Sequence, residues 1–329
     1  MDSSTASAFR RDFGLAQTDV ATGVSSGRTS ASNTHWNKWL KYVRELALDP
    51  LLQTVTDEIP FLQVFGRRIR TGALSASTRP VKSRQVEDYL RTIGQTFMAM
   101  GFDDPRLSSN AKIDHRIHRM LRTYSKQDPP PNRVKPVPVQ VLRHIMAIAQ
   151  ASNLPFLLGI ADMITIAFFF LLQPGEYTNS TSDTSPFRFI DVQLFLGEQR
   201  LDLVTAPLAS ILAATFASLT FTDQKNGVRG EVIGLARSGC PSLCPVVAIV
   251  RRIHHLRINN APPDMPLASV YTTKWEKITP TNITNTLRQA VRFLSPAALG
   301  FNPEDVSARC LRAAGANALL CANVDTDVI

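Results

Sequence analysis

Apolar residues recur at helical spacing through the first third of the chain. Trp36, Trp39, Leu40 and Val43 form one stripe, with Ser32 as a plausible cap ahead of it. Phe61, Leu62, Phe65 and Ile69 form a second within 59–71, and Val86, Leu90, Ile93 and Phe97 a third within 83–100. Ile113, Ile117, Met120 and Leu121 form a fourth within 110–124. The pattern predicts an all-helical first domain over residues 31–127, preceded by a Ser/Thr/Ala/Gly-rich arm over 1–30. The run Asp128-Pro-Pro-Pro-Asn132, with Pro136 and Pro138 beyond it, excludes helix. Residues 128–138 therefore read as a stiff extended linker.

Beyond the linker the periodicity is mixed. Helices are predicted at 139–151 and 155–172, the second apolar almost throughout. Two β-hairpins follow. One lies within 187–204, turning at Gly197-Glu198-Gln199. The other, "SLTFTDQKNGVRGEVIGLA", turns at Asn226-Gly227. Helices resume at 245–256, 281–293 and 307–322, the last capped by Ser307. The fold class is mainly α: a helical domain, then a helical domain at 139–329 with a small antiparallel β-sheet.

Charge alters this picture. The 329 residues carry a formal net charge of +9, with a pI near 9.7. Residues 31–127 hold 16 Lys or Arg against 9 Asp or Glu, so +7 of that excess lies in the first domain. Such a balance favours a polyanionic partner, most often nucleic acid. Two clusters stand out: Arg67, Arg68 and Arg70, and Arg116, Arg119 and Arg122 at three-residue spacing. Taken singly, each cluster reads as a solvated helix face; the two together within one basic domain point to DNA backbone contacts.

The four cysteines give no disulfide framework, and the chain reads as intracellular. Cys240 and Cys244 precede His254 and His255, but tighter paired spacing is usual for structural zinc. They read as loop cysteines beside a helix, and no metal or other cofactor is expected. His115 and His118 read as exposed helix residues. No signal peptide is recognised, and the apolar stretch 155–172, interrupted by Asp162, reads as a core helix rather than a membrane span.

Three places in the second domain could carry chemistry. Gln173-Pro174-Gly175-Glu176 ends the apolar run, Lys225 sits beside the Asn-Gly turn, and Arg309 and Arg312 lie near the start of the last helix. Two guanidiniums so placed suit a phosphate. Read alone, Lys225 is a turn lysine, the arginines a surface pair and Gln173 a polar helix end.

Together, "FFFLLQPGEYTNS", "TFTDQKNGVRGEVIGLARSG" and "SARCLRAAGANALLCANVDTDVI" resemble the tyrosine recombinases of the phage-integrase type. They are most similar to the integrases of Crypton-like eukaryotic mobile elements. The resemblance spans roughly residues 32–329. It implies a SAM-like core-binding domain at 31–127 and a recombinase catalytic-type domain at 139–329. It further implies a nuclear protein that binds double-stranded DNA, with room for a homo-oligomer on it, of a family that integrates and recombines DNA without cofactors. In that family two arginines neutralise the phosphate undergoing attack by a tyrosine, and a hairpin lysine protonates the leaving oxygen.

Position by position, Lys225 matches the hairpin lysine, Arg312 the second arginine and Glu176 the supporting acid. Gln173 falls where the first arginine belongs, and Arg309 where a histidine belongs. The tyrosines, Tyr42, Tyr89, Tyr124, Tyr177 and Tyr271, all precede Arg312, so none stands in the nucleophile's place. The expectation is a degenerate, truncated, DNA-binding pseudoenzyme. An active recombinase whose nucleophile segment lies beyond residue 329 and a non-catalytic protein-interaction module stay open beside it.

Overall fold

The computed structural model describes residues 5, 9–12, 15–16, 26–130, 135–178, 185–222 and 230–325. The chain divides into two compact units, Met1–Pro131 and Asn132–Ile329. The division falls within the proline run. Each unit has its own apolar core.

The first unit is built from four helices: α1 (Ser26–Glu45), α2 (Ile59–Arg70), α3 (Ser83–Ala99) and α4 (His115–Gln127). Helix α1 begins ahead of Ser32, so the last residues assigned to the arm are helical. Most of the remaining arm lies outside the described residues. Helix α4 starts later than its apolar spacing suggested. Asp114 caps it, its side chain accepting from the Arg116 N–H at 2.7 Å, which leaves 110–113 in a turn.

Helix α3 packs on the other three. Its stripe of Val86, Leu90, Ile93 and Phe97 meets Trp39, Tyr42, Phe65 and Ile117 in the core. Two aromatic polar atoms of this core are satisfied by backbone. Trp39 Nε1 donates to the Pro50 carbonyl at 2.9 Å, and the Tyr42 hydroxyl to the Phe61 carbonyl at 3.1 Å.

The second unit is helical with a small sheet. Helices α5 (Val139–Ser152) and α6 (Pro155–Phe169) lead into the single turn α7 (Pro174–Tyr177). Strands β1 (Val192–Leu196) and β2 (Gln199–Leu201) form the first hairpin. After the short helix α8 (Leu208–Leu212) come β3 (Phe216–Phe221) and β4 (Glu231–Ala236). The four strands make one antiparallel sheet in the order β2-β1-β3-β4, with Leu194 opposite Leu201 and Leu219 opposite Ile233.

Helix α9 (Pro245–Ile258) follows, then a two-stranded hairpin of β5 (Ser269–Tyr271) and β6 (Trp275–Lys277) that the apolar pattern did not reveal. Helices α10 (Pro280–Phe293), α11 (Pro296–Leu299) and α12 (Cys310–Cys321) complete the unit.

Helix α6 is the centre of this unit. Ten successive residues, Gly159–Phe168, are buried, and α5, α9, α10 and α12 all pack on it. Burial on all sides explains its near-continuous apolar sequence. No helix among the described residues is long and apolar enough to cross a membrane.

Candidate functional site

The apolar helix ends in a reversal of the chain. Leu171 adopts a left-handed φ of 54°, and the Leu172 N–H returns to the Ala167 carbonyl at 3.0 Å. Gln173 is the N-cap of α7. Its backbone N–H donates to Glu176 Oε2 at 2.7 Å, and the Glu176 N–H donates to the Gln173 carbonyl at 2.9 Å. This is half of a capping box, in which the acid at the third helical position holds the residue ahead of the helix. The same device recurs at Arg188 with Asp191 and at Asn302 with Asp305. The side chain of Gln173 is exposed.

The last helix is fastened to this reversal from both sides. The buried Tyr177 hydroxyl donates to the Ala308 carbonyl at 2.9 Å. Burial pushes its ionisation above the normal phenolic range, so the group is a structural donor. On α12, Gly315 lies directly against the end of α6. A Cβ there would come within 2.1 Å of the Phe168 carbonyl oxygen and 2.5 Å of Leu171 Cδ2. The glycine thus permits an approach that no other residue allows without movement.

Ser307 does not cap α12. Arg309 occupies that position without a side-chain cap, and the Ser307 N–H instead donates to Cys310 Sγ at 3.0 Å. Cys310, Leu311, Ala314 and Gly315 are buried, whereas Ala318 and Leu319 are only half-buried.

The fold therefore brings the Gln173–Tyr177 turn beside the Ala308–Arg312 segment. Arg309 and Arg312 are exposed and, among the described residues, have no ion-pair or hydrogen-bond partner. Lys225 and its Asn-Gly turn lie outside the described residues. The two strands flanking that turn, β3 and β4, pair in register from Phe216–Ala236 to Phe221–Glu231.

In the first unit the arginines divide into two sets. Arg70 is occupied by Asp128, to which it is ion-paired. It also donates to the Val81 carbonyl at 2.6 Å and lies 5.3 Å from the Tyr124 ring centroid. Asp128 in turn accepts from the Ser83 N–H at 2.8 Å and the Ser83 hydroxyl at 2.5 Å. Burial opposes the Asp128 charge, but the Ser83 and Arg70 bonds prevail and hold its carboxyl down at about 2.

Arg68 pairs with Glu45 at 2.7 Å. Arg116 pairs with Asp57 at 2.6 Å and Asp114 at 3.1 Å. Arg67, Arg119 and Arg122 are exposed and without such partners among the described residues.

These three free arginines lie on adjoining helices. Gln63 reaches the Arg116 carbonyl at 3.5 Å, a Cβ on Gly66 would stand 3.0 Å from Met120 Cε, and Arg70 lies over Tyr124. That register runs α2 and α4 side by side in the same direction and sets Arg67 level with the Arg119–Arg122 turn.

Cys240 and Cys244 are engaged locally. Cys240 Sγ is 3.3 Å from the Ser242 hydroxyl, and Cys244 Sγ accepts from the Ser238 N–H at 3.5 Å. His255 Nε2 accepts from the Tyr271 N–H at 2.8 Å. Among the described residues no three His, Cys, Asp or Glu converge as a metal would require.

No family model matches this chain, and no curated protein matches it.

Proposed function

We propose that the protein binds duplex DNA as a catalytically inactive relative of the tyrosine recombinases. The reading makes the first unit a core-binding domain and the second a catalytic-type domain that has lost its chemistry. The observation that carries it is the set of free guanidiniums. Arg67, Arg119 and Arg122 lack counter-ions on a unit whose sequence holds most of the excess charge. Cations not already neutralised by a carboxylate are the ones that release counter-ions from a phosphate backbone. In the second unit, Arg309 and Arg312 present two further unpaired guanidiniums beside the turn that carries Gln173.

Loss of activity is argued from Gln173. Its amide is neutral where the resemblance calls for a cation. One missing charged donor to a transition state costs about 3 kcal/mol or more. Within this reading Arg309 supplies a second positive charge near the one offered by Arg312, and the protein works in the nucleus on DNA.

Fluorescence anisotropy with a labelled duplex across a salt series tests the proposal. Affinity falls steeply and linearly with log salt if phosphate contacts dominate. Binding that is absent, or insensitive to salt, overturns it. A nicked suicide duplex tests the inactive half: a covalent protein–DNA adduct would show that cleavage survives.

A further inference from the structure

Among the described residues the four-stranded sheet of the second unit has two margins, β2 and β4, and they differ. Strand β2 is three residues long with Arg200 at its centre. A short, charged edge of this kind resists pairing with another strand. Strand β4 has six residues, Glu231-Val-Ile-Gly-Leu-Ala236, followed by Arg237. It contains no proline or lysine, and its Val232 is 53% exposed. The usual devices that blunt an edge are missing from it.

Register decides which backbone groups of β4 face outward. The Arg237 N–H donates to the Thr215 carbonyl at 3.2 Å, and pairing continues through Leu235–Ala217 and Ile233–Leu219. In an antiparallel ladder alternate residues turn their N–H and C=O toward the neighbouring strand. The odd-numbered positions therefore face β3, while Val232, Gly234 and Ala236 present theirs outward. Among the described residues these outward groups have no hydrogen-bond partner. The side chains alternate as well: Val232 and Ala236 are exposed, and Ile233 and Leu235 pack on the core.

A second copy of β4, run antiparallel about Gly234, complements the first at every position. Val232 then lies opposite Ala236, Ile233 opposite Leu235, and Glu231 opposite Arg237. The outward positions of the two strands coincide, so each outward N–H meets an outward C=O. Apolar side chains meet on both faces, and opposite charges close both ends. A slip of one residue misaligns the outward groups. A slip of two sets Arg237 opposite Ile233, or Glu231 opposite Leu235. Arg237 is exposed and suits this role. Its Nε and Nη2 donate to the Ala214 and Leu212 carbonyls, each at 2.8 Å, which fixes the guanidinium beside the strand. Among the described residues no carboxylate pairs with it.

We propose that β4 is the seam of a two-fold homodimer, in which two copies join their sheets edge to edge through this register. Such an interface is isologous, the same strand serving both sides. The inference does not rest on DNA binding.

Sedimentation velocity of the full chain over a concentration series, without DNA, tests it. A reversible monomer–dimer equilibrium is expected. It is a weak one, because an edge pairing covers less than the roughly 1,200 Å² of a standard interface. Ala236→Pro removes an outward N–H and leaves the bonds to β3 in place, and proline is tolerated at such edge positions. Glu231→Lys sets like charges at both ends of the seam. Each variant is expected to weaken dimerisation about tenfold or more while the monomer stays folded by circular dichroism.

Arg237→Glu is expected to weaken it similarly. An equimolar mixture of Glu231→Lys with Arg237→Glu is expected to restore the dimer, because both ends then pair opposite charges. If Arg237→Glu does not fold, Ala236→Pro and Glu231→Lys decide. A chain that is monomeric at every concentration overturns the proposal, as does a dimer that Ala236→Pro and Glu231→Lys leave intact. Two folded charge variants that stay monomeric when mixed overturn it as well.

Discussion

At the scale of single residues, a buried ion pair sets the pH response of the second unit. Burial pushes the Asp162 carboxyl up to about 6, against the pull of Arg251. Its proton is then bound more tightly in the folded chain than in the unfolded one. The contribution of Asp162 to stability is greatest below its unfolded value near 4 and declines as pH rises through about 6. Replacing Arg251 with Met removes the opposing charge and raises that carboxyl further. Arg251→Met is expected to cost about 3–5 kcal/mol at pH 8, where Asp162 is left as an unpaired buried charge. The cost is smaller at pH 5, where the group is protonated. Urea denaturation at the two pH values measures the difference, and equal losses would rule the account out.

Arg70 and Arg67 offer a second residue-scale contrast. Arg70→Ala strands Asp128 and is expected to destabilise by about 1–3 kcal/mol. Arg67→Ala, at an exposed unpaired side chain, is expected to shift stability by no more than about 0.5 kcal/mol while weakening DNA binding. Thermal melts with anisotropy on both variants separate the roles.

At the scale of elements, the last helix depends on a backbone approach rather than on side-chain fit. Gly315→Ala drives a Cβ into the Phe168 carbonyl. Overpacking of this kind costs about 1–3 kcal/mol, so a fall in thermal midpoint of several degrees is expected. Tyr177→Phe deletes only the bond to Ala308 and is expected to cost about 1 kcal/mol. A larger loss for Tyr177→Phe than for Gly315→Ala would reverse the ranking argued here.

The elements themselves were largely legible in the sequence, because stripes such as Val86–Leu90–Ile93–Phe97 survive folding as buried faces. Boundaries were less so. Ile113 continued the apolar period of α4, yet the Asp114 cap starts that helix later. Ser307 looked like a cap by type, but the chain turns at Arg309 and gives Ser307 another partner. The β5–β6 hairpin is too short to show an alternation, so only its pairing reveals it.

For the candidate sites, residue type in the sequence could not tell an engaged arginine from a free one. Arg70 and Arg67 look alike until Asp128 is seen beside one of them. The Arg251–Asp162 ion pair was missed for a similar reason: its partners lie 89 residues apart. The lone acid in an otherwise apolar helix was the signal that could have found it.

At the scale of the whole molecule, each unit holds a separate core. The Asn132–Ile329 fragment is therefore expected to fold when expressed alone, with a cooperative thermal transition of its own. A fragment that remains unfolded would show that its core is completed from elsewhere. The charge of the molecule makes the complementary prediction for DNA. Arg119→Ala with Arg122→Ala removes two candidate phosphate contacts and is expected to reduce the salt-dependence slope by about two. An unchanged slope would remove α4 from the interface.

The turn at Gln173 carries a consequence for how this protein could change. Glu176 holds position 173 through its backbone N–H alone, and the side chain projects into solvent. Nothing in the scaffold inspects which side chain stands there, so the position can drift from cation to amide and back at almost no cost in folding. Gln173→Arg is expected to leave the thermal midpoint unchanged. On the proposed reading, an exchange of charge at position 173 is open in either direction by a single substitution for as long as Glu176 keeps the turn.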